Sequence, residues 1–277
     1  MFLTRLGFFL VAPFLLASLG LVAGTANSAE EGTTIDDCVI EPSKVASVSS
    51  AVDGVIDRLA VRRGELVKQG QVLVTLNSRI EKATVELARV RSERDQAIKS
   101  KRARLEFARR RLDRNKGLFD QSLISEQVVD EAETDVLLAE LELGEFIEER
   151  KIAILELERS QEALELRTIR SPFNGVVVDV LVARGESIEN RPLLKIAKID
   201  PLNVEVIAPV KLFGKIKKGT KAEVIPEEPI GGKYSARVVI VDRVLDAASG
   251  TFGIRLQLPN HKYKLPAGLR CQVIFQP

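Results

Sequence analysis

Val52-Asp53-Gly54-Val55-Ile56-Asp57-Arg58-Leu59-Ala60-Val61-Arg62-Arg63-Gly64-Glu65 is matched without gaps, at a constant offset of 121 residues, by Phe173-Asn174-Gly175-Val176-Val177-Val178-Asp179-Val180-Leu181-Val182-Ala183-Arg184-Gly185-Glu186. The correspondence continues through Val67 and Ile188, Val72 and Leu193, and Leu73 and Leu194. In each copy a Gly opens a β-rich run, Arg-Gly-Glu forms a turn and a second short apolar run follows. That pattern predicts two strands with a reversal that Gly permits. One copy has too few strands to bury its own apolar face, so the sensible unit is two copies packed as a small sandwich.

About ninety residues separate the copies, and their composition is helical. Between Ser78 and Thr168 there is no Pro, and the only glycines are Gly117 and Gly144. Ile98, Leu105, Leu112 and Phe119 fall one heptad apart, as do Val129, Val136, Leu143, Leu157 and Leu164, with Ala132, Ala139, Phe146 and Ala153 as companions. This alternation of three and four predicts two long helices with a coiled-coil seam. Arg91, Arg94 and Lys101 occupy seam-like positions in the first arm, so irregular packing is expected there. The stretch Gly117 to Ser125 separates the arms and places a tip near 117–125, with Ser125 opening the second helix.

Charge supports the pairing. Ser78 to Phe119 carries 14 Lys or Arg against 6 Asp or Glu, whereas Ser125 to Thr168 carries 4 against 14. Antiparallel arms of opposite sign attract along their length, although each exposed pair contributes only about 0–1 kcal/mol, so charge selects partner and orientation more than it stabilises. The basic run Arg109-Arg110-Arg111 is better placed against this acidic arm than against nucleic acid.

The split repeat resembles the two halves of a biotinyl/lipoyl-carrier domain, with the long insertion standing where a carrier has a tight hairpin bearing a modified Lys. Lys68 then reads as an exposed turn residue, and carrier function as lost. A split lipoyl-like unit interrupted by a coiled-coil hairpin resembles the periplasmic adaptor, or membrane-fusion, family (HlyD-like) of tripartite efflux and secretion systems. In adaptors of the drug-efflux type the hairpin tip carries an Arg, a Leu four residues on and a Ser seven further, a spacing that Arg114, Leu118 and Ser125 match. The resemblance implies that these three dock onto a TolC-like outer-membrane channel. It also implies an inner-membrane transporter of unknown class and a homo-oligomer, hexameric in the family, with Leu137, Leu141, Ile147 and Ile154 facing neighbouring hairpins. The local alternatives are Arg114 solvated, Leu118 closing the end of the hairpin and Ser125 acting only as an N-cap.

From Asp200 onward, short alternating runs such as Ala236–Val241 and Ile254–Leu258 between glycines predict a small β-barrel, which looks like the family's barrel domain. The expected fold is α+β, multidomain and elongated: a split lipoyl-like β-sandwich interrupted by a long antiparallel coiled-coil α-hairpin, followed by a small β-barrel. Its segments are an export signal peptide (1–29), a linker and strand contributed to the barrel (30–50), the two lipoyl-like halves (51–77 and 169–199), the hairpin (78–168) and the barrel (200–277). A full membrane-proximal domain of the drug-efflux kind is not expected.

At the amino terminus Arg5 precedes an uncharged apolar stretch from Leu6 to Gly24 and a small polar run. These predict a periplasmic, inner-membrane-associated protein, with cleavage after Ser28 or Ala29 the preferred outcome and retention as an amino-terminal anchor the alternative. An oxidising compartment permits Cys38 and Cys271 to pair, and a barrel fed by both chain ends would bring them together; two buried free thiols is the alternative.

Catalytic chemistry finds no support. The sole histidine, His261, lacks a partner at ligand spacing, Met is absent beyond Met1, and Asp53, Asp57, Asp179 and Asp242 form no convergent constellation. No catalytic residue, metal site or cofactor is therefore expected. The substrate of export is not written in the residues. Small-molecule efflux is preferred over an adaptor role in polysaccharide or protein secretion, and both over an enzyme's carrier domain.

Overall fold

A computed structural model describes residues 33–276. The predicted export signal, the first residues of the 30–50 segment and Pro277 lie outside the described residues. In chain order the elements are β1 (Thr33–Ser49), β2 (Gly54–Leu59), β3 (Leu66–Val67), β4 (Val72–Leu76), α1 (Arg79–Ser92), α2 (Gln96–Asp120), α3 (Glu126–Glu165), β5 (Thr168–Arg170), β6 (Gly175–Val180), β7 (Ser187–Ile188), β8 (Pro192–Pro209), a 3-10 turn (Val210–Leu212), β9 (Lys221–Pro226), β10 (Tyr234–Val241), β11 (Thr251–Leu258) and β12 (Leu269–Phe275).

The repeat folds as an exchange. The two strands that flank each Arg-Gly-Glu turn do not pair with each other but with the other copy, while β2–β4 and β6–β8 pair within a copy. β2 meets β7 through Gly54–Ile188 and Val55–Ser187, and β6 meets β3 through Gly175–Val67 and Val176–Leu66, which is the same register in both halves. The Arg-Gly-Glu turns obey the same symmetry: Gly64 N donates to Val177 O and Gly185 N to Ile56 O, both at 2.8 Å. Gly64 and Gly185 have φ of 83° and 86°, a left-handed conformation that accounts for Gly in both turns. Apolar residues of the two sheets, among them Ile56, Leu73, Leu76, Leu193, Leu194 and Ile196, fill the core of the sandwich.

Six strands close a barrel in the order β1-β12-β9-β10-β11-β8, and β8 pairs back to β1. Cys38 stands opposite Cys271 in the β1–β12 ladder, with Cα atoms 5.2 Å apart and the sulfurs bonded. Sandwich and barrel share their longest strands. Lys44–Val48 of β1 pair with Leu194–Lys198 of β8 in the sandwich, while Cys38–Pro42 pair with Leu202–Val206 in the barrel. The expected boundary at 199/200, next to the end of the sandwich pairing at Lys198, falls inside β8. The strand instead runs through it, because Ile199–Pro201 bulge opposite Ser43 and ask no ladder amide of Pro201.

The insertion is a two-arm rod, but its first arm is two helices, α1 and α2, rather than one. Val85, Ala88 and Ser92 of α1, Ile98, Leu105 and Ala108 of α2, and Val129, Ala132 and Ala139 of α3 form the buried seam. The helix stops at Glu93–Asp95, opposite Arg150, the one heptad position between Leu143 and Leu157 that is not apolar. Arg150 Nε reaches Ser92 O at 3.4 Å, so a carbonyl left by the broken helix receives the guanidinium that the seam could not bury. Lys101, also expected to disturb the seam, lies half-buried with its ammonium 3.0 Å from Glu142 and 5.2 Å from the Phe146 ring centroid.

Candidate partner-docking site at the hairpin tip

Helical rise sets the reach of the rod. The 40 residues of α3 extend about 60 Å at 1.5 Å per residue. At its root Arg167, just past α3, forms an ion pair with Glu81 of α1 at 2.7 Å and donates to Asp53 O at 2.7 Å. One guanidinium thus ties both arms to the turn before β2. Among the described residues, the arms are joined along their outer length by charge: Lys101 and Arg104 to Glu142, Arg109 to Glu140, Arg111 to Asp135 and Lys116 to Glu133. Lys101, then Arg104, hold the Glu142 carboxyl below its ordinary value, and Glu133 raises the Lys116 ammonium above its own.

The tip is a Schellman turn. Leu123 N donates to Leu118 O at 3.0 Å, Ser122 N donates to Phe119 O at 2.7 Å, and Ser122 adopts φ 58°. α2 therefore continues through Gly117 to Asp120, and the left-handed residue is Ser122, not a glycine. Gly117, expected to begin the turn, is helical instead: a lone Gly on an exposed face does not end a helix whose next turn can close on Ser122. Phe119, expected in the seam, is 41% exposed at the tip beside Leu118 at 40% and Leu123 at 63%.

The three residues that the sequence analysis singled out lie together at this end. Arg114 is one helical turn before Leu118, is exposed and makes no ion pair or hydrogen bond among the described residues, unlike its neighbours Arg111 and Lys116. Ser125 occupies the N-cap of α3 with extended backbone, but its hydroxyl makes no capping bond. A cation, an apolar surface and a hydroxyl are thus presented with no internal partner. The apolar part is wider than the sequence reading allowed, since Phe119 and Leu123 join Leu118; the Schellman geometry that sets Leu123 beside Leu118 was the missing signal.

The other residues considered lie in separate parts of the fold. His261 Nδ1 lies 3.0 Å from Asp200 Oδ2, an exposed pair, and Lys68 lies in an exposed turn where its amide meets Gln71 Oε1. Asp53 offers its carbonyl to Arg167, Asp57 and Asp179 lie on β2 and β6, and Asp242 follows β10. Among the described residues no group of three or more His, Cys, Asp or Glu is placed to share a cation, and no helix is long and apolar enough to cross a membrane.

Comparison with known proteins adds to this geometry. Residues 44–198 match the family described as the CzcB-like, barrel-sandwich hybrid domain. The cobalt-zinc-cadmium resistance protein CzcB of Cupriavidus metallidurans is 26% identical over 258 residues, covering 92% of this chain and 47% of that protein. The macrolide export protein MacA of Yersinia pestis is 23% identical over 250 residues, covering 86% and 66%. The chain spans about half the length of the CzcB proteins it matches. In fold, the crystal structure of MacA from Actinobacillus actinomycetemcomitans superposes with a TM-score of 0.72 at 20% identity, covering 88% of this chain and 79% of that one. A MacA-MexA chimera carrying the Pseudomonas aeruginosa MexA α-hairpin gives 0.55 at 18% identity, covering 89% and 82%.

Proposed function

The chain belongs to the CzcB-like barrel-sandwich hybrid family, and from that premise we propose that it is a periplasmic adaptor of a tripartite export system. It bridges an inner-membrane transporter and a TolC-like outer-membrane channel. Its action is geometric and not catalytic: the β base holds one end, and the rod carries the tip about 60 Å away. Small-molecule efflux is the preferred cargo class, in keeping with relatives named for metal resistance and macrolide export. The disulfide of Cys38 with Cys271 fits an oxidising periplasm.

The observation that carries this reading is the tip itself, where Arg114, Leu118 and Ser125 stand together without internal partners. An Arg fork and an apolar side chain at the end of a stiff rod are the usual anchors of a small, specific interface. Exposed Leu137, Leu141, Ile147 and Ile154 on α3 support lateral contacts between hairpins in a ring of copies, a hexamer by family resemblance.

Arg114→Asp and Leu118→Ser each change an exposed side chain outside the seam. Both are expected to abolish export in cells while leaving the circular dichroism spectrum and the melting temperature of the purified chain unchanged. Normal export by both variants would leave the tip with no docking role.

A further inference from the structure

The barrel end farthest from the rod is built differently from the tip. Thr33 pairs with Phe275 there, Thr251 with Pro209, and β10 and β11 reach it at Val241 and Ile254. Two connections, 210–220 and 242–250, cover this end. The first, Val210-Lys211-Leu212-Phe213-Gly214-Lys215-Ile216-Lys217-Lys218-Gly219-Thr220, contains four lysines and no carboxylate. Ile216 is buried in the barrel core, which turns Lys215 and Lys217 on either side of it outward.

Across a cleft of about 410 Å³, lined in part by Phe213, Ile216, Lys217, Lys218, Ile240 and Arg243, lies the second connection. It raises Val244, 86% exposed, and Leu245 beside Arg243. Phe213 is 45% exposed although its ring packs edge-on against Phe252 at 5.3 Å. Carboxylates are present as well and keep their charge: Asp246 accepts from the amides of Ala248 and Ser249, which hold it ionised, and Asp36 accepts from Gln272, so among the described residues Asp36, Asp37, Asp242 and Asp246 stand against five cations, and the excess is concentrated in the carboxylate-free 210–220 connection. Apolar side chains raised among lysines match an interface in which hydrocarbon lies behind anionic phosphates.

A separate observation places that interface. Thr33 starts β1 at this same end, and in a chain that keeps its amino-terminal anchor only Thr25 to Gly32 separate it in sequence from the apolar stretch Leu6–Gly24. Eight residues span at most about 28 Å.

We propose that the 210–220 and 242–250 connections dock on an anionic phospholipid bilayer, with Phe213, Val244 and Leu245 entering the headgroup layer and Lys215, Lys217, Lys218 and Arg243 meeting lipid phosphates. The inference deepens the adaptor reading by fixing which end of the base rests on the inner membrane, but its test does not depend on export.

The chain contains no Trp, so Val244→Trp in the full chain places a single reporter at the contact. With vesicles of phosphatidylglycerol and phosphatidylcholine, its emission is expected to shift to the blue and to be quenched by brominated lipid. Lys217→Gln, Lys218→Gln and Arg243→Gln in that background should each weaken the quenching titration roughly fivefold. Insertion of the apolar stretch alone would tether the chain to neutral and anionic vesicles alike, so equal quenching in pure phosphatidylcholine, or none in either, would overturn the proposal. A reporter that responds only when the transporter is added would replace the bilayer with a protein surface.

Discussion

The β base and the rod are held by different forces. In the base, large aliphatic side chains are fully enclosed, Leu73, Leu193 and Leu194 in the sandwich and Leu202, Val204 and Leu256 in the barrel. In the middle of the rod the enclosed residues are Leu105, Ala108 and Ala139, and ion pairs hold the flanks. Burial scales with apolar area and tolerates salt, whereas exposed ion pairs contribute little and are screened. The comparison teaches that the base supplies the stability and the rod supplies reach, with its register set by charge. Leu194→Ala should therefore cost about 2–5 kcal/mol in denaturant unfolding. Leu105→Ala should fall at or below the lower limit, because its site borders solvent and the small side chains Ala108 and Ala139. Equal losses at the two sites would erase the distinction.

The joint between the regions is sharpened by Arg167, whose side chain is 22% exposed and pairs with a Glu81 side chain 19% exposed. Arg167→Met keeps the apolar stem but leaves Glu81 and the Asp53 carbonyl without their donor, a loss of about 1.5–3 kcal/mol on the scale of hydrogen bonds to charged groups. Hydrogen exchange should locate the damage: faster exchange in α1 and the last turns of α3, with β4 and β8 protected as before. Uniform acceleration across the base would mean that Arg167 supports the sandwich itself.

Much of this architecture was legible because it rests on repetition. The offset of 121 is preserved in strands, turns and reciprocal hydrogen bonds, and the opposite charge of the arms reappears as cross-arm pairs. What escaped was local competition. The irregular packing expected around Arg91 and Arg94 takes the form of a break at Glu93–Asp95, but its partner across the seam, Arg150, lies almost sixty residues away, beyond any window on the first arm. Asp200-Pro201 carries the signature of a break, yet a bulge absorbs it because both neighbouring strands continue. At the tip, the spacing of Arg114, Leu118 and Ser125 pointed to one surface, but Leu123 joins it only through Ser122 in a left-handed turn, for which Gly is the usual marker.

The smallest expected effect is on the ion pairs of the rod. Glu142 is depressed below its ordinary 4.5, chiefly by the Lys101 hydrogen bond, and Asp95 below its ordinary 3.8, chiefly by Lys99. A carboxylate stabilised in the folded state contributes fully above its unfolded value, and that contribution is lost as pH falls through the folded one. Lys116, raised above 10.5 by Glu133, works in the opposite direction: its contribution is complete below 10.5 and is lost as pH rises through the folded value. The rod should thus hold its register from about pH 5 to pH 10 and loosen on either side. Exchange or crosslinking between α2 and α3 should report the change while the barrel amides stay protected. The acid limb read between α2 and α3 should shrink in Glu142→Gln, leaving only the part that Asp95 contributes through Lys99 on its own helix, and the alkaline limb should be lost in Lys116→Gln. An acid limb undiminished by Glu142→Gln would assign the sensitivity elsewhere, and the charge ladder would then be a surface feature without a part in registering the arms.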